Sequence, residues 1–269
     1  MRISGYSSGG RETGGPQDRL PRGHGGGSGG SLAVVGIGPG GAAEITPRAA
    51  RVLDEAGVVV GYRTYLELIT PLLTGKEVVE SGMREETARA RQAVERAAAG
   101  AQVAVISSGD PGVYGMAVPV LEAALETGVA VEVIPGVTAA TAAAALLGAP
   151  LGHDFAVISL SDLLTPWPVI EKRLRGAVAA DFVLVLYNPA SSRRQEKWRQ
   201  TLAIIREGRP PGTPVGVVWD AGRAGERKVI CDLAGVVDLP VDMRATVIVG
   251  NLQTYVANGL MITPRGYRR

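Results

Sequence analysis

The sequence predicts an α/β protein of two domains, and three observations predict it. From Leu32 onward, short valine-rich runs that are apolar throughout alternate with helical patterns, which implies mainly parallel sheet covered on both faces. Ala149-Pro150-Leu151-Gly152 interrupts that alternation near the middle of the chain. Beyond it strands crowd together with fewer helices, so a first domain over 32–150 with mainly parallel sheet and a second over 151–269 with a more mixed sheet are expected.

The elements are taken in chain order. Residues 1–31 carry the glycine clusters Gly25-Gly26-Gly27 and Gly29-Gly30, scattered arginines and almost no large apolar side chains. Such a segment buries too little surface to offset its ordering entropy and is expected to be a disordered tail, its His24 incidental. The first strand, Leu32–Ile37, leads into Gly36, Gly38 and Gly41 in the spacing G-x-G-x-x-G. A dinucleotide fingerprint would turn directly into a helix there and would place an acid at the end of the next strand. Here Pro39-Gly40 suits the central pair of a type II turn, with positive φ at Gly40, and residues 41–45 read as loop. The helix signal comes later: Thr46 as N-cap, Pro47 at the first position, then Ala49, Ala50, Val52, Leu53 and Ala56 as the apolar stripe of a helix over Pro47–Ala56. The next strand, Val58–Val60, runs into Gly61-Tyr62 rather than an acid. The match to a nicotinamide site is therefore read as false.

The remaining first-domain strands are Glu77–Glu80, Gln102–Ser107 and Val129–Ile134, and its helices Glu85–Ala99, Met116–Glu126 and Thr138–Leu147. In the second domain the strands are Phe155–Ser159, Phe182–Tyr187, Val215–Trp219, Lys228–Cys231 and Ala245–Val249, with helices Pro166–Arg175 and Arg193–Arg206.

Composition narrows the partners. At 269 residues, 46% hydrophobic and 20% charged, the chain can bury a substantial core. A net charge of +2 without a basic run points away from nucleic acid. The single Cys231 leaves no internal disulfide and no zinc site built on cysteine pairs, which fits a reducing cytoplasm. No apolar stretch reaches the roughly 18 residues of a membrane span and no signal core is visible, so a cytoplasmic protein without a membrane partner is expected.

The loops at the strand ends carry the functional reading. Four of them, Gly38-Pro39-Gly40, Ser107 to Gly115 (SSGDPGVYG), Pro135-Gly136-Val137-Thr138 and Tyr187-Asn188-Pro189-Ala190-Ser191, form turns directly after a strand. In open α/β sheets ligands bind at that edge. The three loops of the first domain contain no lysine or arginine, while Asp110 and Glu44 supply negative charge. A phosphate cradle is thus disfavoured. Exposed backbone groups without cations suit a neutral or cationic ligand rich in hydrogen-bonding atoms, a description that an adenosyl sulfonium fits.

The loops GIGPGG, SGDPGVYGM and PGVTA, in that order, followed by YNPAS and Val249-Gly250-Asn251, resemble the tetrapyrrole methylase family of S-adenosylmethionine-dependent methyltransferases from Leu32 to the end. Gly61-Tyr62-Arg63-Thr64-Tyr65 and the stretch from His153 to Trp167 (HDFAVISLSDLLTPW) are similar to its precorrin-3B C(17)-methyltransferase branch in cobalamin biosynthesis. The resemblance implies the two-domain tetrapyrrole methylase fold, a homodimer, and a cofactor cleft between the domains. It implies C(17) methylation of a tetrapyrrole with ring contraction to precorrin-4, or the same reaction on the cobalt-containing counterpart, without a metal ligand set in the protein. By position, Pro39, Gly109, Asp110, Val113, Thr138 and Ala139 would bind the cofactor, with Tyr187, Asn188 and Gly250 closing over the adenine. Tyr62, Arg63 and Tyr65 would face the substrate, and Arg63 and Arg84 would pair with its carboxylates. Ring contraction needs proton management, for which Asp110, Ser108, Tyr114 and His153 are candidates. Two other readings remain in view: an NAD(P)-dependent oxidoreductase resting on the three glycines, and an adenosyl-ligand binder or relative acting on another acceptor.

Overall fold

The structure, a computed structural model, describes residues 30–190 and 195–267. The expected tail, except for its last two residues, and the first two residues of the last expected helix lie outside the described residues.

Five strands build the first sheet: β1 Ser31–Gly36, β2 Val58–Tyr62, β3 Glu77–Ser81, β4 Gln102–Ser107 and β5 Val131–Ile134, in the order β3-β2-β4-β1-β5. Every pairing in it is parallel. Its helices are α1 Pro47–Glu55, α2 Arg63–Leu68, α3 Glu86–Ala98 and α4 Ala117–Leu125. Successive strand residues point to opposite faces, so Val34 meets Ala90, Ala93 and Val120 of α3 and α4, while Val35 packs with Ala49, Leu53 and Leu66 of α1 and α2. A strand covered on both faces needs no polar alternation, which is why these runs read as solid valine.

The chain then forms α5 Ala139–Leu147 and the short β6 Gly148–Ala149, and enters the second sheet with β7 Phe155–Ser159. After α6 Trp167–Ala179 come β8 Val183–Tyr187, α7 Gln195–Arg206, β9 Pro214–Trp219, β10 Arg227–Asp232 and β11 Ala245–Val249, in the sheet order β10-β9-β11-β8-β7. Only the β7–β8 pairing is parallel, so this sheet is mixed as the sequence predicts. Helices α6 and α7 cover one face and α5 the other. Leu147 of α5 is fully buried and sits over the middle of β9, where a Cβ on Gly216 would meet its Cδ1 at 2.3 Å. Two late strands, β12 Tyr255–Ala257 and β13 Leu260–Ile262, join β6 in a small third sheet, with β13 between the other two.

Strands β8 and β9 both run antiparallel to β11 and therefore parallel to each other. Their carboxyl ends, with that of β7, share one edge, and that edge meets the carboxyl edge of the first sheet. The expected turn at Pro39-Gly40 is corrected: the residue in the left-handed region is Gly38, at φ 72°. Gly40 is required for another reason, since a Cβ there would lie 2.0 Å from the carbonyl oxygen of Gly222. Residues 42–44, read from sequence as loop, form one 3-10 turn, yet the helix itself begins at Pro47, with Thr46 Oγ1 accepting from the Ala49 amide at 3.1 Å.

Candidate functional site

Glycine lets three loops of the first sheet merge into one floor. Gly38 and Gly109 exchange backbone hydrogen bonds, N–H to O, at 3.2 and 2.7 Å. A Cβ on Gly36 would stand 2.6 Å from the Gly136 amide nitrogen, and one on Gly136 would stand 2.3 Å from the Gly109 oxygen. Asp110 fastens the same floor: Oδ1 accepts from the Gly112 amide at 2.8 Å and Oδ2 from the Gly136 amide at 3.1 Å. This carboxylate joins two loops at the centre of the floor, with lone pairs left on both oxygens.

Three side chains join the second sheet to this floor: Tyr187 and Arg223 reach from the second sheet, and Tyr114 reaches to it from the first-domain loop. The Tyr187 hydroxyl, at the end of β8, lies 2.6 Å from Thr138 Oγ1 and accepts from the Ala140 amide at 2.6 Å. It thus takes up an amide of the first turn of α5, which has no side-chain cap of its own. Burial pushes the Tyr187 phenol up from its ordinary pKa, while the Thr138 and Ala140 hydrogen bonds oppose the shift. Tyr114, held at φ 54°, donates to the Val157 carbonyl at 3.1 Å and accepts from the Ser159 amide at 3.2 Å. Its hydroxyl is committed to the free edge of β7, its side chain is largely exposed, and its ring meets that of Tyr187 edge-on at 5.9 Å. Asn188, at φ 53°, donates to Ser159 Oγ at 3.0 Å.

Arg223 is the third closing side chain, and the sequence reading missed it. Its Nε donates to the Pro39 carbonyl at 2.7 Å and its Nη2 to Ser108 Oγ at 3.2 Å. The first-domain loops do lack cations, but the second sheet supplies one to them across the seam. Beside it the Gly41 amide donates to the Gly222 carbonyl at 2.9 Å. The signal available in the sequence was a glycine–arginine turn following a buried strand, Asp220-Ala221-Gly222-Arg223; nothing local showed where the guanidinium pointed.

Pro39, Gly109, Asp110, Val113, Thr138, Ala139, Tyr187 and Asn188 are thus brought to one edge. Tyr62 and Tyr65 lie at the end of β2 and on α2, edge-to-face at 5.2 Å. Burial raises the Tyr65 pKa, and the nearby Arg223 opposes that shift. Four expectations are not brought together with them. Gly250 follows the carboxyl end of β11, which pairs with the starting end of β8, and so lies at the opposite edge of the second sheet, accepting from Arg209 Nε at 3.3 Å. His153 precedes β7 at that same far edge, exposed, with its Nδ1 3.3 Å from Asp154; it lines a small pocket with Phe182 and Asn251. Arg63 turns outward to Glu80 at 2.7 Å with both side chains more than half exposed. Arg84 is exposed in a turn at φ 68°. Among the described residues no helix is long and apolar enough to cross a membrane.

Comparison with known proteins gives a consistent match. The family of Tetrapyrrole (Corrin/Porphyrin) Methylases matches residues 31–237. The chain is 52% identical over 238 residues to the probable cobalt-factor III C(17)-methyltransferase of Salmonella typhimurium, covering 88% of this chain and 99% of that one. It is 49% identical over 246 residues to the cobalt-factor III methyltransferase of Priestia megaterium, covering 89% of this chain but only 46% of that longer protein. To the precorrin-3B C(17)-methyltransferase of a Sinorhizobium species it is 43% identical, covering 88% of this chain and 97% of the relative. Among solved structures, the methyltransferase CobJ superposes with a TM-score of 0.83 at 39% identity, over 87% of this chain and 100% of that one. A uroporphyrin-III C-methyl transferase from Thermus thermophilus complexed with S-adenyl homocysteine gives 0.67 at 30% identity, over 82% and 97%.

Proposed function

The chain belongs to the tetrapyrrole methylase family, and on that premise we propose that it is an S-adenosylmethionine-dependent methyltransferase acting at C(17) of a corrinoid precursor. The observation that carries this reading is the floor of three glycine loops fastened by Asp110 and closed by Tyr114, Tyr187 and Arg223. Its donor set fits the cofactor. Backbone N–H and C=O groups suit the amino acid and ribose, the Asp110 carboxylate suits a cationic ligand, and the two edge-on tyrosine rings offer an apolar wall for a purine. The nicotinamide alternative loses support, because the chain runs from the end of β1 at Gly36 to Pro47 before α1 begins and a dinucleotide needs the helix N-terminus at once.

When bound, S-adenosylmethionine supplies a methyl group on a positively charged sulfur, ready for displacement by a carbon nucleophile. The residues of this chain align and shield. The floor of glycine loops and Asp110 would hold the donor in one place, so that the contribution of these residues is alignment with an acceptor carbon. Tyr187 of the second sheet and Tyr114 of the first-domain loop wall the site for a reaction in which charge disappears. Tyr114 contributes as a closing side chain rather than a proton carrier, since its hydroxyl already donates and accepts within the protein. The cobalt-containing acceptor is favoured over the metal-free one, because the relatives named for cobalt-factor III stand at 49% and 52% identity and the precorrin-3B relative at 43%. We further propose a homodimer, as the family resemblance implies, in the cytoplasm, which the single cysteine fits.

Calorimetric titration with S-adenosylhomocysteine, with NAD and NADP in parallel, tests the cofactor class. Saturable binding of the homocysteine compound alone is expected, and Asp110→Asn should weaken it by about tenfold, the scale of a lost charge-assisted contact. Binding of a nicotinamide cofactor alone would end the methyltransferase reading.

A further inference from the structure

Two arginines at the closing edge carry no carboxylate partner among the described residues. Arg89, on the first turn of α3, is only 4% exposed. It donates from Nε to Ser81 Oγ at 2.5 Å, from Nη2 to the Gly82 carbonyl at 2.8 Å, and from Nη1 to the Met116 thioether at 3.3 Å, a weak acceptor. Burial pushes its pKa down, with Glu86 and Glu85 opposing from a distance. Glu85 is turned instead to the Gly82 amide. Arg223 uses Nε and one Nη2 hydrogen on neutral oxygens, and the rest of its fork has no partner among the described residues. The phenol of Tyr65 lies within the field of both guanidiniums. The Arg89 charge is desolvated without a counter-ion, which is costly, Arg223 is half-buried, and their position at the carboxyl ends of β2, β3 and β4 is where a ligand enters.

We propose that Arg223, with Arg89 as a second cation near the same carboxyl edge, anchors a peripheral carboxylate of the macrocycle. The proposal rests on the corrinoid-acceptor reading above and replaces Arg63 and Arg84 as the carboxylate partners. The backbone of Arg223 is fixed for the task. Its amide donates to the Asp220 carbonyl at 2.9 Å, the Asp220 carboxylate is held by Arg244 at 3.1 Å, and Glu226 accepts from the Gly222 amide at 2.7 Å. With two bonds to first-domain loops already made, the planar fork is pre-set for a bidentate partner. The same side chain would then touch the Pro39 loop and the acceptor together, so that substrate binding tightens the cofactor floor.

The test uses a stable carboxylated macrocycle, uroporphyrin III, and the same macrocycle with every carboxylate converted to a neutral amide, both followed by fluorescence titration of the full chain. Arg223→Gln should weaken binding of the free acid about tenfold or more and leave the amide unchanged. Arg223→Lys should recover part of the loss. Ser108→Ala, which removes a clasp but no charge, should not reproduce it. Equal losses for acid and amide, an unaltered affinity for the acid in Arg223→Gln, or a wild type that binds acid and amide alike would each overturn the proposal. A wild type that fails to bind S-adenosylhomocysteine would sink the methyltransferase reading by itself, whichever macrocycle it prefers.

Discussion

Arg209 is 4% exposed and donates to the carbonyls of Gly250, Val178, Gly208 and Phe182 at 3.1–3.3 Å while pairing with Asp181 at 3.0 Å. One planar cation thereby ties the end of β11, the end of α6 and the approach to β8. Arg209→Leu would leave those acceptors unpaired, and removing one partner of a buried ionic cluster costs about 3 kcal/mol. A fall of that size in the urea-unfolding free energy at unchanged slope is expected; a loss under about 1 kcal/mol, the worth of a single neutral hydrogen bond, would mean water replaces the guanidinium. Arg209 also marks what a sequence conceals. It stands among Gly208, Pro210 and Pro211 like any exposed loop arginine, and neither its burial nor the reach of Arg223 leaves a periodic trace. Asp110 was readable because its role begins within its own turn, at Gly112. Gly250 misled because a short motif does not say which end of an antiparallel strand it occupies.

Elements whose ends are set by local chemistry were the legible ones. Thr46 and Pro47 fix the start of α1 on chemistry contained within four residues, so the prediction there is clean: Thr46→Ala should cost about 1 kcal/mol through the Ala49 amide it uncovers. Thermal unfolding of that variant should show a lower midpoint with an unchanged fold by circular dichroism, and no shift would mean Pro47 alone sets the helix start. Helix α5 was harder to place. Its run AATAAAALL shows no preferred face in sequence, and packing decides it: Ala140, Ala143, Ala144 and Leu147 turn onto the second sheet, Leu147 over Gly216. The β12–β13 hairpin was overlooked although Asn258-Gly259 announces it, both residues adopting positive φ at 51° and 71° as a two-residue hairpin turn requires. Its strands are three residues each, too short for alternation to register.

At the scale of the whole molecule, the two sheets meet by backbone as much as by side chain, and this was the least legible feature because its partners lie 184 positions apart. Gly40 isolates that contact. Its φ is not in the left-handed region, so alanine there strains nothing locally, and Gly40 lies outside every core strand and helix. The added methyl carbon would nevertheless come within 2.0 Å of the Gly222 oxygen, a backbone atom that cannot swing aside, so the Asp220–Arg223 turn would have to retreat. Arg223 would then lose the Pro39 carbonyl, and the floor one of its three closing contacts with the second sheet. Gly40→Ala should therefore keep its far-ultraviolet circular dichroism, since both cores are untouched, while its affinity for S-adenosylhomocysteine falls about tenfold or more, the equivalent of at least one lost charge-assisted hydrogen bond. If calorimetry gave the wild-type affinity in a folded variant, the close approach of the sheets would be a consequence of packing elsewhere, and the cofactor floor would have to be complete within the first sheet alone.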